Sequence, residues 1–191
     1  MNKIIFTLLV SLIGYLGMAQ SIFDRYANSS DVSYFSISPK MFQMLGQMSI
    51  NVNDPEAEEF LKMVKSINNF KVLISTESKV SDEMKIWIDS HIKKENLEIL
   101  MTFNDEDAKN IAFYVKEGSS ENKVAQLLMY SKDMNGKAGD KNNLQIGGRT
   151  LEAVLLLLEG DIDLNQISKL TEKMDLPGGD QLRKASKNKS L

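Results

Sequence analysis

At Asn96 the spacing of apolar side chains changes from helical to alternating, and this change limits the fold more than any other feature of the chain. Downstream, Leu97, Ile99, Met101 and Phe103 alternate up to a polar turn at 104–107. Ile111, Phe113 and Val115 alternate up to Gly118, and Val124, Gln126, Leu128 and Tyr130 resume the pattern after a short polar turn. Connections this short join only antiparallel neighbours, because a parallel crossover needs roughly a dozen residues. The sequence therefore predicts an antiparallel meander.

Upstream of Asn96 the pattern is mainly helical. Tyr34 and Phe35 sit in a short alternating strand, Val32–Ile37, which ends at Ser38-Pro39, an N-cap followed by a proline suited to the first helical position. Met41, Phe42, Met44, Leu45 and Met48 then share one helical face, up to Gly46 and the Asn-rich 51–53. Asp54-Pro55 repeats the cap-then-proline signal. It opens a helix with the stripe Ala57, Phe60, Leu61, Val64 and Ile67, and with Glu56, Glu58 and Glu59 near its positive end. Phe70, Val72 and Ile74 alternate as a further strand. Ser81 is placed to cap a third helix that buries Met84, Trp87, Ile88, His91 and Ile92 and carries Lys93 and Lys94 in its last turn.

Beyond the meander, 134–143 reads as a mobile loop, followed by Leu144 to Ile146, the pair Gly147-Gly148, and a run at 151–158 that is apolar at nearly every position. Such a run suits a central strand covered on both faces. Asp163 then caps a terminal helix containing Ile167, Leu170 and Met174. Helices cluster in the first half and antiparallel strands in the second, which predicts an α+β fold. The expected order is β-α-α-β-α-β-β-β-β-α, a mostly antiparallel sheet with helices packed mainly on one face.

The ends of the chain carry an address. Lys3, an apolar run at 4–16 and the small residues Gly17 and Ala19 have the form of a secretory signal peptide cut before Gln20. The expected organisation is a signal peptide at 1–19, one domain at 20–176 and a weakly ordered Gly- and Lys-rich tail at 177–191. No transmembrane anchor is expected after cleavage, and the apolar run is short for a bilayer span. With 23 basic against 26 acidic residues there is no positive excess to neutralise a phosphate backbone, so no nucleic-acid partner is expected. The chain has no cysteine and one histidine, which excludes disulfides, thiolate nucleophiles and Cys/His zinc sites.

Three strings carry a resemblance: Val32-Ser33-Tyr34-Phe35-Ser36-Ile37-Ser38-Pro39-Lys40-Met41-Phe42, then Leu128-Met129-Tyr130, and Gly160-Asp161-Ile162-Asp163-Leu164-Asn165-Gln166-Ile167. Together the sequence resembles the domain-of-unknown-function 4252 family of Bacteroidetes cell-envelope proteins. The resemblance implies export into a Gram-negative envelope and brings no activity, cofactor or ligand with it. Some members look like lipoproteins; this chain lacks the cysteine that a lipid anchor needs.

Several constellations have residue types that could carry chemistry. Asp161-x-Asp163-x-Asn165 with Glu172 has calcium-loop spacing, but Gln166 stands where the sharp turn needs glycine, so strand exit at Gly160 and an Asp163 N-cap are expected instead. Met41, Met44 and Met48 could offer thioethers to Cu(I), yet helical spacing predicts core packing. His91, alone on an apolar stripe, is expected to be half-buried and hydrogen-bonded. Asp105 and Asp107 fall in a turn. Gly147-Gly148-Arg149-Thr150 lacks the spacing of a phosphate loop and suits a tight bend. Arg183, Lys184, Lys187 and Lys189 form a solvated tail. No catalytic, cofactor-binding or metal residue is assigned, and no cofactor is expected.

Two functions follow as expectations. One is an exported, non-catalytic envelope module, periplasmic or extracellular, that binds an envelope protein, peptide or small ligand in stress sensing or maintenance, with an open meander edge as docking surface. The alternative is a periplasmic hydrolase whose carboxylates gather only in three dimensions, around His91 or the Asp161/Asp163 pair.

Overall fold

The Ser38-Pro39 signal works as the sequence predicts. In the computed structural model, strand β1 (Val32–Ile37) ends there and Ser38 Oγ accepts the Met41 N–H at 3.3 Å, capping helix α2 (Pro39–Gln47). The structure describes residues 21–47, 55–105, 109–132, 145–146 and 149–166. Before β1 lies a short helix that the sequence pattern did not disclose, α1 (Ile22–Tyr26), with Ile22 and Phe23 buried. After α2 come α3 (Pro55–Ser66), β2 (Ile67–Ser75) and α4 (Ser78–Glu95). The meander follows as β3 (Glu98–Asp105), β4 (Lys109–Glu117) and β5 (Lys123–Lys132), then the short pair β6 (Gln145–Ile146) and β7 (Arg149–Thr150), and last β8 (Ala153–Asp163).

Among the described residues, the main sheet has six antiparallel strands in the order β1-β2-β8-β5-β4-β3. The run at 151–158 is central, as expected, with β8 between β2 and β5. Its two sets of side chains feed two cores. Ala153, Leu155 and Leu157 pack with Phe23 of α1, with Val80, Met84 and Ile88 of α4, and with Leu128. Leu158 and Ile162 pack with Phe42 of α2, with Met63 and Val64 of α3, and with Phe113. Helices thus cover both faces instead of mainly one. A strand apolar at consecutive positions leaves two greasy surfaces, and both must be taken from water.

Local boundaries also move. Helix α4 begins at Ser78, and Ser81 is not its cap: it is fully buried, its hydroxyl 3.2 Å from the Tyr130 hydroxyl. Ile67, assigned to a helical stripe, starts β2 and keeps its burial there. Asn104 and Asp105 belong to β3, opposite Asn110 and Lys109, instead of a turn. The helix end is as expected. Asn96 adopts the left-handed conformation at φ 54°, and Lys93 and Lys94 occupy the last turn of α4.

Gly160 does not end its strand. Strand β8 runs through it with φ 150°, and the register slips beside it, between Ile67 and Asn69 on β2 and between Val124 and Gln126 on β5. Glu159, Gln126 and Asn69 continue the alternation of Leu157, Leu128 and Leu73 on the side of the sheet that faces α4, and across the slip Ile67 and Val124 pass to the opposite core.

Candidate functional site

The polar side chains at that irregularity form a chain across three strands and one helix. Glu159 of β8 accepts the Asn69 Nδ2 N–H at 2.7 Å on one oxygen and the Gln126 Nε2 N–H at 2.8 Å on the other. The two donors come from β2 and β5, the strands that flank β8. With its amide nitrogen committed to Glu159, Gln126 turns its Oε1 toward His91 Nε2, 3.2 Å away. Nε2 therefore carries the imidazole proton and donates it, leaving Nδ1 as the basic nitrogen. The ring is held from its face as well: Trp87, one helical turn earlier on α4, stacks on it at 4.3 Å between centroids and 18° between planes. Phe23 of α1 packs edge-on against Trp87 at 5.6 Å.

His91 is thus half-buried and hydrogen-bonded, as its place on the stripe predicts. Burial pushes its pKa down; the Gln126 hydrogen bond and the charges of Glu95 and Glu159 oppose that, and Lys94 adds to it. The sign of the linkage follows. Below the unfolded value of about 6.5 the unfolded chain takes up a proton that the folded chain resists, so this contribution is present above that pH and fades as pH falls. The protein is expected to lose thermal stability as pH falls below about 6.5, and His91→Gln to flatten that part of the profile. An unchanged slope in the variant would refute the assignment.

The calcium-like string is dispersed by its own hydrogen bonds. Asp161 is exposed, accepts the Ser119 hydroxyl at 2.7 Å and pairs with Lys123, and these two hydrogen bonds hold its carboxyl below the ordinary value. Asp163 Oδ1 accepts the Asn165 N–H at 2.9 Å where the chain turns helical at Leu164. That is the expected N-cap. Asp163→Ala should lower stability by about 1 kcal/mol in urea titration, and a loss below about 0.3 kcal/mol would dismiss the cap. Neither carboxylate is a partner of His91. Among the described residues no group of three or more His, Asp or Glu side chains is placed to hold a metal ion.

Met41 and Met44 correct another expectation. Their side chains are 49% and 54% exposed, whereas Phe42 between them is buried in the core. Helical spacing identified a face, but α2 turns Phe42 inward and leaves the thioethers in solvent. The expectations for Met48, Asp107, Gly147-Gly148, Ile167, Leu170, Glu172, Met174, the segments 1–19 and 177–191, and the basic tail lie outside the described residues. Arg149 and Thr150 form β7, which pairs with β6. No local pattern in the sequence singles out Glu159 or Asn69. A signal was present, since Gln126 is a polar residue at an inward position of an alternating strand and needs a buried partner.

The remaining features of interest are the sheet edges. Among the described residues, strands β1 and β3 each have a neighbour on one side only. Ile99 on β3 is 65% exposed, and Phe35 on β1 is 54% exposed. A family model described as a domain of unknown function, DUF4252, matches residues 26–170, from the end of α1 past β8. No curated protein and no solved structure matches the chain.

Proposed function

The chain belongs to the DUF4252 family, and from that premise we propose that it is an exported, non-catalytic binding module of a Gram-negative cell envelope. The observation that carries the reading is the open edge at β3, where Ile99 stands in solvent beside backbone groups that pair with no further strand among the described residues. An extended segment of an envelope protein can add there by main-chain hydrogen bonds, with Ile99 as an apolar contact. The polar groups support the same reading. The Asp161 and Asp163 carboxylates are engaged in an ion pair and a helix cap, and Glu159 is taken up by two amides.

A photo-cross-linking side chain at Ile99, in cells that make the protein, should give one discrete adduct in the envelope fraction. The same group at Ile86, equally exposed but on helix α4, should not. Mass spectrometry of the same material should find the chain beginning at Gln20. Identical adducts from both positions, or an intact Met1 in the cytosol, would overturn the proposal. One observation favours the second reading, hydrolysis: the chain from Glu159 through Gln126 leaves His91 with a basic Nδ1. An ester or peptide turned over by the protein and not by His91→Gln would put that reading first.

A further inference from the structure

We propose that the β1 edge is a two-fold interface that pairs this protein with a second copy of itself. The two edges of the sheet are built differently. Strand β3 opens on Glu98 and closes on Asp105, acidic ends that repel a second copy of β3 and leave that edge to a segment of complementary charge. Strand β1 has none of these. Its six residues, Val-Ser-Tyr-Phe-Ser-Ile, include no charge, no proline and no glycine, and they pair with β2 without a slip from Val32 to Ile37. An uncharged, regular edge is a template for another strand, and a copy of itself meets no like charge on it.

The chemistry of the edge selects the arrangement. A closed pair places the two β1 strands antiparallel about an axis normal to the sheet, and directly opposed residues must then lie on the same face. Only registers centred on a residue satisfy this. Centring on Phe35 sets the two exposed Phe35 rings against each other, beside the edge-on contact that each makes with Phe70 at 5.9 Å. Ser33 then faces Ile37 of the copy, and Tyr34 faces Ser36. The same register brings Asp31, just before β1, alongside the Pro39-Lys40 start of α2 in the copy, and symmetry repeats the contact. Asp31 and Lys40 are both exposed, and neither has an ion-pair partner among the described residues. Centring on Tyr34 would set Asp31 against Ile37 and forfeit this complementarity.

The absence of cysteine makes the test direct. In sedimentation the purified protein should form a dimer that dissociates on dilution. Phe35→Lys should weaken it by about tenfold or more while circular dichroism shows the monomer still folded. Phe35→Cys should give a covalent dimer under mild oxidation, and Ile99→Cys on the other edge should not. Asp31→Lys and Lys40→Asp should each weaken the dimer and the double exchange restore it, which separates the Phe35-centred register from the Tyr34-centred one. A monomer up to about 100 μM, far above the range of a specific dimer, would overturn the proposal. So would equal cross-linking at Ile99, open-ended growth of oligomers with concentration, or failure of the double exchange to rescue.

Discussion

Replacing Gly160 by alanine is expected to lower the unfolding free energy by about 3 kcal/mol or more, enough to remove a large part of the stability of a domain this size. Two effects add. At φ 150° the backbone occupies a region that L-residues rarely enter, which by itself costs about 1–3 kcal/mol. A β-carbon there would also stand 2.1 Å from the Ser66 carbonyl oxygen, far inside contact distance. Ser66 cannot simply retreat, because it closes α3, with its hydroxyl donating to the Met63 carbonyl at 2.7 Å, and leads directly into β2. Relief must come from moving α3 or parting two central strands. Urea denaturation of Gly160→Ala checks this, and a loss under about 1 kcal/mol would mean that the strand relaxes without strain.

Leu155→Ala should cost about 3 kcal/mol. Leu155 is fully buried on the central strand, in the core shared with Met84 and Ile88 of α4 and with Leu128 of β5. Neighbours drawn from two separate elements cannot both close on the lost volume, so a cavity term adds to the lost transfer energy. Ile99→Ala, an equally apolar truncation at the β3 edge, should change stability by less than about 0.5 kcal/mol. The two variants together test whether the edge is spare surface with respect to folding. Comparable losses in both would show that β3 is covered in solution.

Much of the fold was legible because its cues are local. Alternation revealed the meander, since side chains two apart on a strand share a face wherever the strand lies. Ser38-Pro39 and Asp163 could be read as caps because a cap is satisfied within three residues. His91 was legible as half-buried, since its helix stripe is set by its own neighbours in sequence. Ser81 misled for the same reason. A serine ahead of an apolar stripe looks like a cap, and only Tyr130, 49 residues away, makes it a buried partner. Short α1 offers too few turns for a period to register, so only the burial of Ile22 and Phe23 under the sheet reveals it.

What the amino-acid sequence determined by itself was the inventory and the periods: α+β segments, their caps, an antiparallel meander, and a chemistry without cysteine and with one histidine. The tertiary structure decided which strands became edges, that both faces of the sheet carry helices, and that Met41 and Met44 face water while Phe42 does not. It also decided that Asn69, Gln126 and Glu159 meet beside His91. The division has one cause. Helix and strand periods are set by covalent geometry over a few residues, whereas exposure and polar partnership depend on which distant segments arrive alongside.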